Sequence, residues 1–259
     1  MRKNRLFLMA LCLILVMLVF TGCGKENKLV NAGLEESTAG MSLFLTNKAK
    51  GFESMTTYIF LSKDMDEKFE RLSNDKQGID ICYVPVSEIS RIKADSNFTV
   101  VFVDTFEQTG EIKGVWVARN GWLEEAPNYS KKYIRGMVKS ADYRATHMNM
   151  TYADACKSVE KIDVNKINFN EQSDVLQFIA FFDRDNKNDT IDVVEFSYKS
   201  AAELETMFKD FASGSGEGYE LCRAAYDKYC TASDSMSFEK MFNLGIMIDE
   251  IDGVMHPEQ

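Results

Sequence analysis

Apolar residues follow three successive patterns along this chain. Fifteen consecutive apolar residues run from Leu6 to Phe20; from residue 28 to 119, short β-rich runs alternate with stretches of helical spacing; from Ala126 onward the spacing is helical throughout. The strand candidates are KLVNAG (28–33), MTTYIFLS (55–62), IDICYV (79–84), FTVVFVD (98–104) and IKGVWVAR (112–119). Several are unbroken apolar or β-branched runs, the pattern of strands covered on both faces by helices. Between the first two, Met41, Phe44, Leu45 and Ala49 fall at helical spacing behind Ser37 and Thr38 as N-caps. The second crossover, MDEKFERLSNDKQG, closes on Gly78 as a C-cap. This alternation predicts an α/β fold built from βαβ units.

Beyond Ala126, Pro127 suits a first helical turn. Ile134, Val138, Ala141 and Ala145 make one apolar stripe opposite Lys131, Lys132, Arg135 and Lys139. Thr151 with Asp154 resembles a capping box, and Tyr152, Cys156 and Val159 continue an inward face. Further helices are predicted at 171–182, 199–212, 218–231 and 237–251, with SGSGEG (213–218) as a joint between two of them.

The first apolar run follows the basic tip Arg2, Lys3 and Arg5 and ends in Phe20-Thr21-Gly22-Cys23. It is short of the ~20 residues that span a bilayer, and no stop-transfer cluster follows, so it reads as a secretory leader. The small residue before Cys23 resembles a bacterial lipobox, in which the thiol receives a diacylglyceryl group and becomes the mature N-terminus. Two acyl chains give lasting anchorage where one is marginal. The expected organisation is a leader (1–22), a lipidated N-terminus and tether (23–30), an α/β lobe (31–125) and a helical part (126–259) that has room for remnants of a second lobe. The expected location is the extracytoplasmic face of a bacterial cell membrane.

Loss of Arg2, Lys3 and Arg5 with the leader moves the formal charge from −10 to −13 over the 237 residues that remain. An acidic surface of this kind disfavours nucleic acid, which requires clustered cations. Four cysteines follow Cys23: Cys82, Cys156, Cys222 and Cys230. Cys222 and Cys230 on one helix would lie about 12 Å apart, too far for a disulfide. The four read as buried small hydrophobes.

The chain has no nucleophile elbow, Walker loop, dinucleotide fingerprint or His-rich metal motif, and His147 reads as an exposed side chain; no catalysis and no cofactor are expected. FFDRDNKNDTIDVVEF (181–196) resembles a calcium loop through Asp183, Asp185, Asn188, Asp189 and Glu195. Counted from Asp183, Lys187 takes position 5 and Val194 position 12; counted back from Glu195, Arg184 takes position 1. Each frame loses a required ligand, so an acidic solvated turn is the reading and no metal is expected.

The loop GLEESTAGM (33–41) and the segment YVPVSEI (83–89) follow the first and third strands. Ligands of open α/β sheets sit outside the carboxyl ends of strands, so Ser37, Thr38, Tyr83 and Ser87 are the candidate ligand-binding residues. Helix caps alone would account for the same residues. QGIDICYVPVSEI and GVWVARNGWLEEAPNYSKKYIRGMVKSADYRATHMNMTYADACKSV resemble segments of ABC-importer substrate-binding lipoproteins of the nitrate, sulfonate, taurine and thiamine-pyrimidine type. In that family a Gly-x-Asp leads a strand to the cleft, and a later strand ends in an arginine before an acidic turn and a long helix. The resemblance spans residues 28–165. It implies a periplasmic-binding-protein-like α/β fold, with mostly parallel sheets flanked by helices and a helical C-terminal part. It also implies a monomer that takes a small polar or anionic ligand and passes it to a permease subunit. The alternative is a tethered, non-catalytic interaction lipoprotein of the same fold without a ligand cleft.

Overall fold

The unbroken apolar runs become the centre of an open sheet in the computed structural model, which describes residues 29–34, 56–61, 64–74, 78–146, 168–169 and 197–257. Among these, seven strands are β1 (Leu29–Leu34), β2 (Thr56–Leu61), β3 (Ile81–Pro85), β4 (Phe98–Phe106), β5 (Ile112–Arg119), β6 (Asn168–Phe169) and β7 (Ser197–Tyr198). They lie in the order β6-β2-β1-β3-β5-β4-β7. The helices are α1 (Met65–Ser73), α2 (Asn120–Glu125), α3 (Pro127–Thr146), α4 (Ala201–Phe208), α5 (Glu217–Tyr229), α6 (Phe238–Met241) and α7 (Gly245–Met255), with a 3-10 segment at Val86–Arg91. The α/β class and the five predicted strands are present, each within two residues of its expected bounds.

The sheet is mixed rather than mostly parallel. β1 runs parallel to β2 and β3, and β2 to β6; β5 is antiparallel to both β3 and β4, and β7 to β4. The reason is chain length. A parallel crossover needs a dozen or more residues, and only residues 107–111 separate β4 from β5. They close a hairpin in which the Glu107 N–H donates to the Glu111 carbonyl at 2.7 Å.

All of β4 is buried, and so is β5 apart from Lys113. Of the predicted stripe on α3, Ile134, Val138 and Ala141 are fully buried and Ala145 half-buried, while Lys131, Lys132, Arg135 and Lys139 opposite are exposed; Met137, outside the predicted stripe, is fully buried as well. At ~1.5–3 kcal/mol for each large apolar side chain removed from water, this layer is a major stabilising term. Strands and helices share one hydrophobic cluster, running from Ala32 through Trp116 and Ile134 to Ile251.

Three helix predictions need correction. α1 starts behind Asp64, whose carboxylate accepts from the Asp66 and Glu67 N–H groups. It ends at Ser73 with Asn74 as C-cap, so Gly78 lies beyond the helix rather than capping it. The stretch expected as one helix at 237–251 is two, because Phe242 bridges to Val100 and the Asn243 N–H donates to the Val100 carbonyl at 2.9 Å. Docking on β4 uses backbone that a continuous helix would need internally. The acidic turn expected after β5 is a short helix, α2. Cys82 and Cys222 are buried free thiols, as expected; Cys230, the C-cap of α5, is free but only half-buried, short of the buried position expected of it. The leader, the helix around Met41, His147, the Thr151 capping box, Cys156, the helix at 171–182 and the acidic turn at 183–195 lie outside the described residues. Among the described residues no helix is long and apolar enough to cross a membrane.

Candidate functional site

Strand order locates a crevice before any side chain is considered. β2 and β3 flank β1 on opposite sides, so the connections on the two sides of β1 diverge and leave a topological switch point between the carboxyl ends of β1 and β3. The two strands are in register from Ala32 beside Ile81 to Gly33 beside Cys82. The chain therefore leaves β1 next to Tyr83 and Pro85. This spacing depends on Gly33: a Cβ there would lie 2.6 Å from Ile79 Cδ1 and 2.9 Å from Cys82 Cβ.

The next turn along is built from β3 itself. Pro85 holds φ at −54°, and the 3-10 segment begins at once with Val86 and Ile89 buried beneath it and Ser87 exposed. Its N-cap is Pro85, which has no side-chain acceptor, and among the described residues no side chain caps its first N–H groups. Its far end is fastened: Arg91 Nε donates to Glu88 Oε2 at 2.6 Å, its Nη1 pairs with Asp66 on α1, and its guanidinium lies 5.8 Å from the Phe69 ring centre. Those two carboxylates, Asp66 first, raise the Arg91 pKa above its usual value. The segment thus offers a hydroxyl and uncapped N–H groups at its open end while its other end is anchored to α1.

Of the four sequence-predicted ligand residues, the described part contains two. Ser87 sits on the open turn. Tyr83 is 4% exposed, with its ring edge-to-face on Trp116 at 5.6 Å. Its hydroxyl reaches over Gly114, where a Cβ would lie 2.1 Å from it, and Gly114 pairs with Pro85; the ring therefore extends along the sheet toward the carboxyl end of β3. Ser37 and Thr38 lie outside the described residues, as does Cys23. Beneath the crevice, burial pushes the Cys82 thiol up to about 12, an effect that nearby Lys68 only partly offsets. It is therefore a packing group and not a nucleophile at neutral pH.

A second hollow lies at the opposite end of the sheet. A polar cavity of about 490 Å³ is walled by Ser96, Thr99, Asn120, Glu124, Glu239 and Asn243 among others. Thr99 Oγ1 donates to Asn120 Oδ1 across its floor at 3.1 Å. Neither Tyr83 nor Ser87 lines it. The pattern offered little warning: Asn120 and Glu124 belong to the unanticipated α2, and Glu239 and Asn243 to the broken C-terminal helix. Next to it, Arg119 Nη2 donates to Asp80 Oδ1 at 3.0 Å, with both side chains at or below 10% exposure. The Arg119 N–H donates to the Asp80 carbonyl at 2.9 Å. The Gly-x-Asp and the strand-ending arginine, quoted above from separate segments, are the two halves of one buried ion pair.

Comparison with known proteins adds one likeness. A 2.0 Å crystal structure of the ligand-binding component of an ABC-type import system from Staphylococcus aureus, with zinc bound, superposes at a TM-score of 0.47 and 10% sequence identity, over 85% of this chain and 97% of that one. No family model and no curated protein matches the chain.

Proposed function

We propose that this chain is an extracytoplasmic solute-binding lipoprotein, anchored through Cys23, that captures a small polar or anionic molecule and passes it to the permease of an ABC-type importer. The observation that carries the binding role is the switch point between β1 and β3, flanked by a turn whose first N–H groups have no side-chain cap among the described residues. Uncapped N–H groups beside a hydroxyl suit an oxyanion or another polar head group. In this reading Ser37, Thr38 and Ser87 supply hydroxyls around the ligand and Tyr83 forms the floor. The anchor rests on the basic tip, the short apolar run and the small residue before Cys23. A capture role asks for no covalent chemistry, in keeping with the protonated, buried Cys82.

The test is a thermal-shift screen of the full chain in detergent micelles against nitrate, sulfonates, pyrimidines and amino acids. A true ligand at a hundredfold excess over its dissociation constant stabilises by about 2.7 kcal/mol. For a chain of this size that is a shift of several degrees. A flat response across the panel would instead favour the tethered interaction lipoprotein without a cleft.

A further inference from the structure

We infer that Glu205, Asp252 and His256 form a binding site for a divalent transition-metal ion where α4 meets the end of α7, away from the crevice between β1 and β3. Asp252 and His256 stand four residues apart, with the His256 N–H donating to the Asp252 carbonyl at 2.8 Å as the helix closes. That spacing puts two ligand groups on one helix face, the arrangement by which paired helical side chains chelate zinc. The third group comes from the facing helix: His256 Nε2 lies 2.8 Å from Glu205 Oε1. One ligand atom from each of the three residues lies within 4.8 Å of the other two. Ligand atoms bonded to one metal at ~2.0–2.2 Å stand roughly 3–4.4 Å apart, so closure requires only side-chain adjustment of a few tenths of an ångström.

The surroundings favour a cation. A hollow of about 300 Å³ between α4 and α7 opens beside the triad, and among the described residues its wall carries Glu205, Asp249 and Asp252 against one cation, Lys209. It leaves room for water or an external ligand to complete the coordination. Both helices are held independently of the triad. α4 is fixed by the capping box of Ser200 and Glu203 and by Asp142, which accepts from the Ala201 N–H at 3.0 Å; α7 is fixed by Arg135, whose Nε donates to Glu250 at 2.5 Å. As a plain ion pair, the His256–Glu205 contact does little, since its side chains are 42% and 34% exposed. An imidazole with two carboxylates suits zinc, cobalt or nickel, whereas an all-oxygen set suits calcium or magnesium. The acidic turn at 183–195 is of the second kind, so the two are separable by metal.

The experiment is calorimetric titration of the full chain in detergent micelles, in metal-free buffer, with zinc and with calcium. The expected result is one zinc equivalent. Its affinity falls at least tenfold in His256→Ala and in Asp252→Asn, and it is unchanged in His147→Ala and in Asp183→Asn/Asp185→Asn. Zinc should also slow amide exchange across residues 245–257. Absence of zinc binding overturns the site. So does a His256→Ala isotherm that matches the parent, or zinc binding that disappears with the acidic turn instead. Circular dichroism of each variant separates loss of the site from loss of the fold.

Discussion

The two ends of β3 are built on opposite principles. At its amino end, Asp80 and Arg119 lock β3 to β5 through a buried ion pair and a backbone bond. At its carboxyl end the strand breaks at Pro85 into a 3-10 turn whose first N–H groups have no side-chain cap among the described residues and whose Ser87 is exposed. One end spends its polar groups on its own structure, and the other presents them. Charged residues near a strand end are therefore poor guides to binding by themselves. Arg119 at the amino end is held by Asp80 in a buried pair.

Substitutions can break or sharpen this contrast, and the largest effect belongs to the locked end. Asp80→Ala strands the Arg119 guanidinium and should cost ~3–5 kcal/mol, read as a lower denaturation midpoint by tryptophan fluorescence, since Trp116 and Trp122 are both buried. Asp80→Ala with Arg119→Met should recover much of that loss. If the single variant is as stable as the parent, the end is not locked by the pair. Next in size is Gly33→Ala, which forces a methyl against Ile79 and Cys82 and should cost ~1–3 kcal/mol. Adding Ile79→Val removes the nearest atom and should restore part of it.

Ser200→Ala, at neither end, serves as a reference. It removes the N-cap of α4 and should cost about 1 kcal/mol. It also carries a pH signature. The Ser200 N–H, its first cause, holds the Glu203 carboxyl below its ordinary value of 4.5, so the stability it contributes is complete above that value and lost as the pH falls through the lowered folded one. Ser200→Ala keeps that N–H, so both proteins should lose this contribution in acid, and the gap between them should narrow only by the smaller part that the Ser200 hydroxyl adds on the carboxylate. The smallest effect on stability belongs to Ser87→Ala, within about 0.5 kcal/mol because the side chain is exposed. On the proposed function, the same change should shrink the ligand-induced thermal shift, which a purely structural serine would leave intact.

Much of the fold was legible in the chain. β5 starts and ends at the predicted residues, because IKGVWVAR is a β-rich run between Gly110 and the polar Asn120-Gly121. The hairpin between β4 and β5 had a readable signal too, since five residues cannot carry a crossover helix. The break at Phe242 had none, because it comes from docking on Val100, some 140 positions earlier in the chain. At the site, the adjacency of β1 and β3 follows from the alternating pattern, whereas the burial of Tyr83 does not. Its phenol sits over Gly114 only because that residue, on a neighbouring strand, has no Cβ to exclude it.

The central claim, that ligand is taken at the open end of β3 and not in the polar cavity at the locked end, is tested most directly by hydrogen–deuterium exchange of the full chain with and without a ligand from the thermal screen. The account predicts slower exchange in peptides covering residues 81–91 and little change in those covering 94–99, 120–124 and 236–246. Protection confined to the latter three would place the ligand at the other end of the sheet and contradict it.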